Sequence, residues 1–297
     1  MLIRLFSWVC AIEQKLLRIF GTIFGFTVLT IFYYQLGPGA GWEGAFRPAV
    51  LLLLSGQNPY IQFNFFNPPW ALLPIISFAL LPIRIGSALI SATNLCVFVY
   101  VLRRLGATKK ATLLFLTIPF VFWTVNLDSL VALGLILPPQ IGLFFLLIKP
   151  QVGAVVAVYI FFNVWRSRGW RAVLGVFTPI IIITLVSFVL FGLWPLRFLQ
   201  QTRPEIRSSI YNLSVWPASL FIAIPLLIFA VIKGEKRIAI GASPLLSPYV
   251  LVHSWPIALM GLLPNHNLFA IGVLLLWLVD LFRTHICEYI FHLLFRI

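Results

Sequence analysis

Residues 178–194 read "TPIIIITLVSFVLFGLW". No position in this run is charged and polar residues do not alternate with apolar ones, so a helix built from it is apolar on every face. Such a surface calls for lipid. In lipid only helices and closed barrels satisfy their backbone hydrogen bonds, and a barrel needs short alternating segments that this chain lacks. The same character holds throughout, with 61% hydrophobic and 9% charged residues among 297 and a mean hydropathy of +1.05. The chain reads as an all-α, polytopic membrane protein forming one transmembrane domain over residues 1–297.

The net charge of +14 comes from 21 Lys and Arg against 7 Asp and Glu. The basic residues sit in short clusters at the ends of apolar runs, where they set topology and touch anionic lipid, and no nucleic-acid module is present. Cys10, Cys96 and Cys287 are isolated in apolar surroundings and read as small buried hydrophobes. No cofactor motif is visible, and His285 and His292 lack a third partner, so no metal site is expected.

At 100° per residue Arg4, Ser7, Gln14, Lys15 and Arg18 fall on one arc, so residues 1–18 are expected to lie as an amphipathic helix on the membrane surface. The first span follows over residues 17–36, with the N-terminus cytoplasmic. Arg103/Arg104/Lys109/Lys110, Arg166/Arg168/Arg171 and Lys233/Lys236/Arg237 are assigned to the same side. Residues 37–67 then form an outer loop. In it "FRPAVLLLL" is too short to cross and "GQNPY" is a turn; Pro68-Pro69 opens the next helix, which Pro82 cuts short.

Residues 111–123 cross outward. The following 127–165 are too many for one span of about 20 residues and too few for three. The Pro138-Pro139 break resolves this if "DSLVALGLIL" and "QIGLFFLLI" are two arms of a re-entrant hairpin with Asp128 and Lys149 at its outer mouths, each arm reaching about 15 Å. One continuous kinked span with Lys149 inside is the alternative. Residues 172–194 go out, 195–212 form an outer loop, 214–232 return, and the proline-broken stretch from 238 is expected to rise to the outer side at "PNHN" (264–267). Residues 268–282 then descend, and 284–297 form an interfacial helix.

Glu43, Asp128 and Glu205 are the acids on the outer side in this topology. Asp128 follows an Asn turn and suits either a helix cap or chemistry. Lys149, costly in a membrane without a partner, suits a phosphate ligand, a structural pair with Asp128, or snorkelling. His253 suits an acceptor or phosphate contact, or an interhelical hydrogen bond. Arg47, Arg203 and Arg207 suit lipid phosphate or loop decoration, and Tyr60, Trp70, Phe63, Phe65 and Phe66 an interfacial aromatic belt.

Three segments, "SGQNPYIQFNFFNPPWALLPIISFALLP" (55–82), "NLDSLVALGLILPPQIGLFFLLIKPQVGAVVAVYIFF" (126–162) and "SPLLSPYVLVHSWPIAL" (243–259), resemble in order and spacing the signatures of glycosyltransferase family 87, polyprenyl-phosphate-mannose-dependent enzymes of the GT-C fold. The resemblance implies a GT-C-like bundle and an outward-facing site that moves a hexose from a polyprenyl-phosphate donor to a lipid or glycan acceptor. It also implies an acid in the first outer loop, a position matched by Glu43, which stands where the family usually carries Asp. Glu43 and Asp128 are then the catalytic candidates, with Lys149, His253, Asn126, Tyr60, Asn67 and Gln151 binding substrate. A transporter is the alternative from another class, although no repeat relates the two halves; a non-catalytic membrane subunit is the third reading.

Overall fold

The computed structural model describes residues 2–62, 64–123, 125–197 and 212–282, with side chains from residue 19 onward except that of Trp123. The outer-loop acid Glu205, Arg203, Arg207, Phe63 and the C-terminal 284–297 helix lie outside the described residues, as do the side chains behind the amphipathic arc at 1–18. Regular structure among the described residues is helical apart from one antiparallel bridge between Asn212 and Leu251. Three stretches, Ile19–Leu36, Ile83–Arg104 and Pro150–Phe191, are long and apolar enough to cross a membrane. The last is divided at Gly169, whose φ of 77° a residue with a Cβ adopts only under strain.

Helix α1 runs without a break over Leu2–Leu36. The expected separate helix at 1–18 therefore merges with the first span, because neither Gly nor Pro occurs before Gly21 to interrupt it. It packs on α3 (Ile83–Arg104), where Tyr33 sits over the small residues Ala88 and Ala92. Between them lie a π-helical turn at Trp42–Phe46, α2 (Arg47–Leu54) and a 3₁₀ helix at Pro69–Ile75 that passes into an α turn at Ile76–Ala79. The short helix, the "GQNPY" turn and the stop before Pro82 follow the sequence expectation. In the turn, Asn58 accepts a hydrogen bond from Tyr60 N at 3.0 Å and Gly56 takes a φ of 73°.

The stretch after α3 is two short helices, α4 (Lys109–Leu116) and α5 (Pro119–Trp123), separated at Pro119. Next come α6 (Asp128–Gly134) and α7 (Pro139–Leu146), an antiparallel hairpin turning at Pro138. Its arms touch at glycine: a Cβ on Gly134 would lie 2.7 Å from the Gly142 carbonyl oxygen. Helix α8 (Pro150–Arg168) leaves the hairpin and α9 (Trp170–Phe191) returns beside it. A Cβ on Gly153 would collide with the Leu146 carbonyl oxygen, so α8 starts in direct backbone contact with the second arm.

The C-terminal half departs from the expected course. Helix α10 (Leu220–Lys233) is followed by α11 (Lys236–Ala242), a turn through residues 243–254, and α12 (Trp255–Leu259) with a 3₁₀ extension at Met260–Leu262. The second arm folds back on the first, since a Cβ on Gly261 would lie 2.5 Å from the Arg237 carbonyl oxygen. Residues 264–267 consequently sit at the end that carries Lys236 and Arg237, not at the opposite one. Pro244 and Pro248 turn the chain at 247–251 instead of letting it continue across. Helix α13 (His266–Asp280) accordingly runs parallel to α4–α5: His266 shares a cleft with Lys109 and Lys110, and Trp277 Nε1 donates to Thr117 Oγ1 at 3.4 Å.

Two hairpins thus meet head to toe. The Lys236 ammonium donates to the Leu135 carbonyl at the tip of the α6–α7 hairpin, and Ser254, at the tip of the α11–α12 hairpin, reaches the mouth of the first. A cation on the last carbonyls of α6 also complements its dipole.

Candidate functional site

The mouth of the α6–α7 hairpin, the tip of the α11–α12 hairpin and the segments 39–46 and 64–67 enclose a cavity of about 380 Å³. The loop at Gly39–Gly41 closes one wall because its two glycines carry no side chain to hold it off Val125: a Cβ on Gly41 would lie 2.6 Å from the Val125 carbonyl oxygen. Five of the eight sequence candidates line this cavity, namely Asn67, Asn126, Lys149, Gln151 and His253.

Asp128 lies directly beneath them, 1% exposed. Lys149 Nζ donates to Asp128 Oδ2 at 2.7 Å and to Ser254 Oγ at 3.3 Å, while Ser254 Oγ donates to Asp128 Oδ1 at 3.0 Å. Both carboxylate oxygens are engaged. The ammonium has three donors, two of them used in this cluster, and Lys149 also lines the cavity. His253 Nε2 stands 3.7 Å from Asp128 Oδ2. Charges this buried are tolerated only when paired and hydrogen-bonded, and this cluster meets that condition with one positive and one negative group.

The support is equally specific. Asn126 Oδ1 accepts from Asp128 N at 2.9 Å, making an Asx turn that starts α6, and the Asn126 carbonyl accepts from Asn94 Nδ2 at 2.9 Å. Ser129 Oγ donates to Asn94 Oδ1. On the other side Asn67 Nδ2 donates to the Ile148 carbonyl at 3.0 Å, fixing the residue before Lys149. Tyr60 donates to the Asn67 carbonyl at 2.8 Å and stacks on Trp194 with 6.5 Å between ring centroids. Burial raises the Tyr60 hydroxyl well above its ordinary value and Arg197 only partly offsets this, so it remains a donor. Tyr60 therefore buttresses the cavity from behind and does not line it.

Glu43 sits on the π turn, is exposed, and is absent from the cavity lining, whereas its neighbours Ala45 and Phe46 contribute to it. Sequence reasoning missed Ser254 and Asn94. Ser254 follows a candidate His, but nothing in "HSWP" shows that its hydroxyl spans both members of an ion pair separated from it by more than 100 residues. Chemically the arrangement offers one ammonium, one imidazole and the carboxamides of Asn67, Asn126 and Gln151 to a ligand that carries an anion and several hydroxyls. No protein-family model, curated protein or solved structure matches the chain.

Proposed function

We propose that this protein is a polytopic plasma-membrane glycosyltransferase with a GT-C-like bundle, taking a hexose, mannose being the first to try, from a polyprenyl-phosphate donor to a lipid or glycan acceptor. Its basic ends face the cytoplasm, α6–α7 is re-entrant from the outer side, and the cavity opens outward. The observation that supports this reading is the buried Lys149–Asp128–Ser254 cluster at the floor of a carboxamide-lined cavity. Lys149 meets the charge of the phosphate leaving group, the carboxamides hold sugar hydroxyls, and His253, backed by Asp128, takes the proton of the acceptor hydroxyl.

The test is incubation of reconstituted protein with radiolabelled polyprenyl-phosphate mannose and a lipid extract. Label appearing in a new lipid or glycan with release of polyprenyl phosphate supports transfer, and label that stays on the donor at every acceptor opposes it. The exposed position of Glu43 favours a second reading, a subunit that binds the phosphate-linked lipid without transferring the sugar. Saturable donor binding with no transfer would select it.

A further inference from the structure

A second cleft, of about 490 Å³, lies at the basic end of the molecule, between the first turns of α4 and α13. Lys109, Lys110 and His266 are exposed at its rim, and Ala111, Leu114 and Phe269 form its apolar wall. Two features give it its form. Thr108 Oγ1 caps Ala111 N at 3.1 Å and Asn265 Oδ1 caps Leu268 N at 3.1 Å, so both helices start at this level with their dipoles directed at it. The chain reversal at 247–251 brings His266 here, next to two lysines far away in sequence.

Charge and depth together define what the cleft accepts. Among the described residues no carboxylate lies within ion-pair distance of Lys109 or Lys110. Among the described residues the rim is therefore a cationic site with no acidic partner. Leu114 lies five residues beyond Lys109, about 7.5 Å deeper along α4, which is the step from a headgroup phosphate to the start of its acyl chains. A soluble anion would use the rim and leave the wall bare.

We propose that this cleft binds one anionic phospholipid from the adjacent leaflet, its phosphate on Lys109 and Lys110 and its first acyl segment over Leu114 and Phe269. The site is separate from the cavity at Lys149 and shares no lining residue with it.

The full chain in nonionic detergent, titrated with dioleoyl phosphatidylglycerol or dioleoyl phosphatidylcholine and read by native mass spectrometry, tests this. The parent should retain one phosphatidylglycerol in preference to phosphatidylcholine. Lys109→Gln/Lys110→Gln should weaken that site roughly 25-fold, about fivefold for each lysine removed. Leu114→Trp, or Leu114→Phe if the larger residue prevents folding, keeps the charges but fills the cleft and should also displace the lipid. Arg168→Gln/Arg171→Gln, removing the same charge from another cluster, should leave it bound. An equal loss in that control would mean diffuse surface attraction and overturn the proposal. So would an unaffected filling variant, glycerol phosphate competing as well as the lipid, or a lysine variant whose effect is loss of a dimer of this chain.

Discussion

Lys149 Nζ lies 2.7 Å from Asp128 Oδ2, although 21 positions separate the two residues in the chain. The intervening α6–α7 hairpin brings them together by starting and ending at one level, and Ser254 locks the pair from the opposing hairpin. Removing one partner leaves a buried, uncompensated charge. Lys149→Met should therefore destabilise the protein by about 3–5 kcal/mol, whereas Lys149→Met/Asp128→Asn should recover most of that loss. Chemical unfolding in detergent measures both, and a double variant no more stable than the single would remove the pair as the cause.

The hairpin itself depends on two backbones in contact. Gly134→Val places a Cβ where 2.7 Å separates it from the Gly142 carbonyl oxygen, so main chain must move. A loss of roughly 2–4 kcal/mol is expected, at the upper end for overpacking. Gly175→Ala, at a site where an added Cβ meets nothing within 4 Å, is the matched control and should be close to neutral or slightly stabilising.

Orientation can be read chemically. With Cys10, Cys96 and Cys287 replaced, Gln151→Cys should react in intact cells with a membrane-impermeant thiol reagent, and Asn265→Cys only after permeabilisation. Labelling of both from outside would return residues 264–267 to the side originally expected from the sequence.

Proton transfer separates the acids. His253→Gln and Asp128→Asn should each lower turnover by about 10²- to 10⁴-fold, the range for losing a general base or its support. Glu43→Gln should leave turnover within a few-fold of the parent, because the side chain is exposed and outside the cavity lining. A large loss in Glu43→Gln with His253→Gln unaffected would restore the outer-loop acid as base.

Much of this architecture was legible because proline and charge are local signals. Pro138-Pro139 announced the hairpin, Pro82 the cut helix, and the costly Lys149 its need for a partner. Asn67, singled out in the motif that follows the "GQNPY" turn, lines the same cavity as Lys149. What the sequence could not show were distances across folded-back chain. Residues 238–264 have the length and hydropathy of a crossing, and it takes contacts such as that of Gly261 with Arg237 to reveal that they turn round. Likewise, the sequence places Glu43 in a loop that borders the cavity, but only the structure shows it exposed on the π turn and outside the lining, and Ser254 becomes informative only when two other residues converge on its hydroxyl.

The most direct test of the account is donor binding and transfer measured on the same three proteins. The parent should bind polyprenyl-phosphate mannose and transfer its sugar. Lys149→Met/Asp128→Asn, once shown to be folded, should bind at least tenfold more weakly, the loss expected when a charge-assisted contact to phosphate is removed. His253→Gln should bind like the parent and transfer at no more than about a hundredth of its rate. Donor affinity and transfer that are the same in all three proteins would contradict the assignment of the Lys149 cavity as the site of reaction.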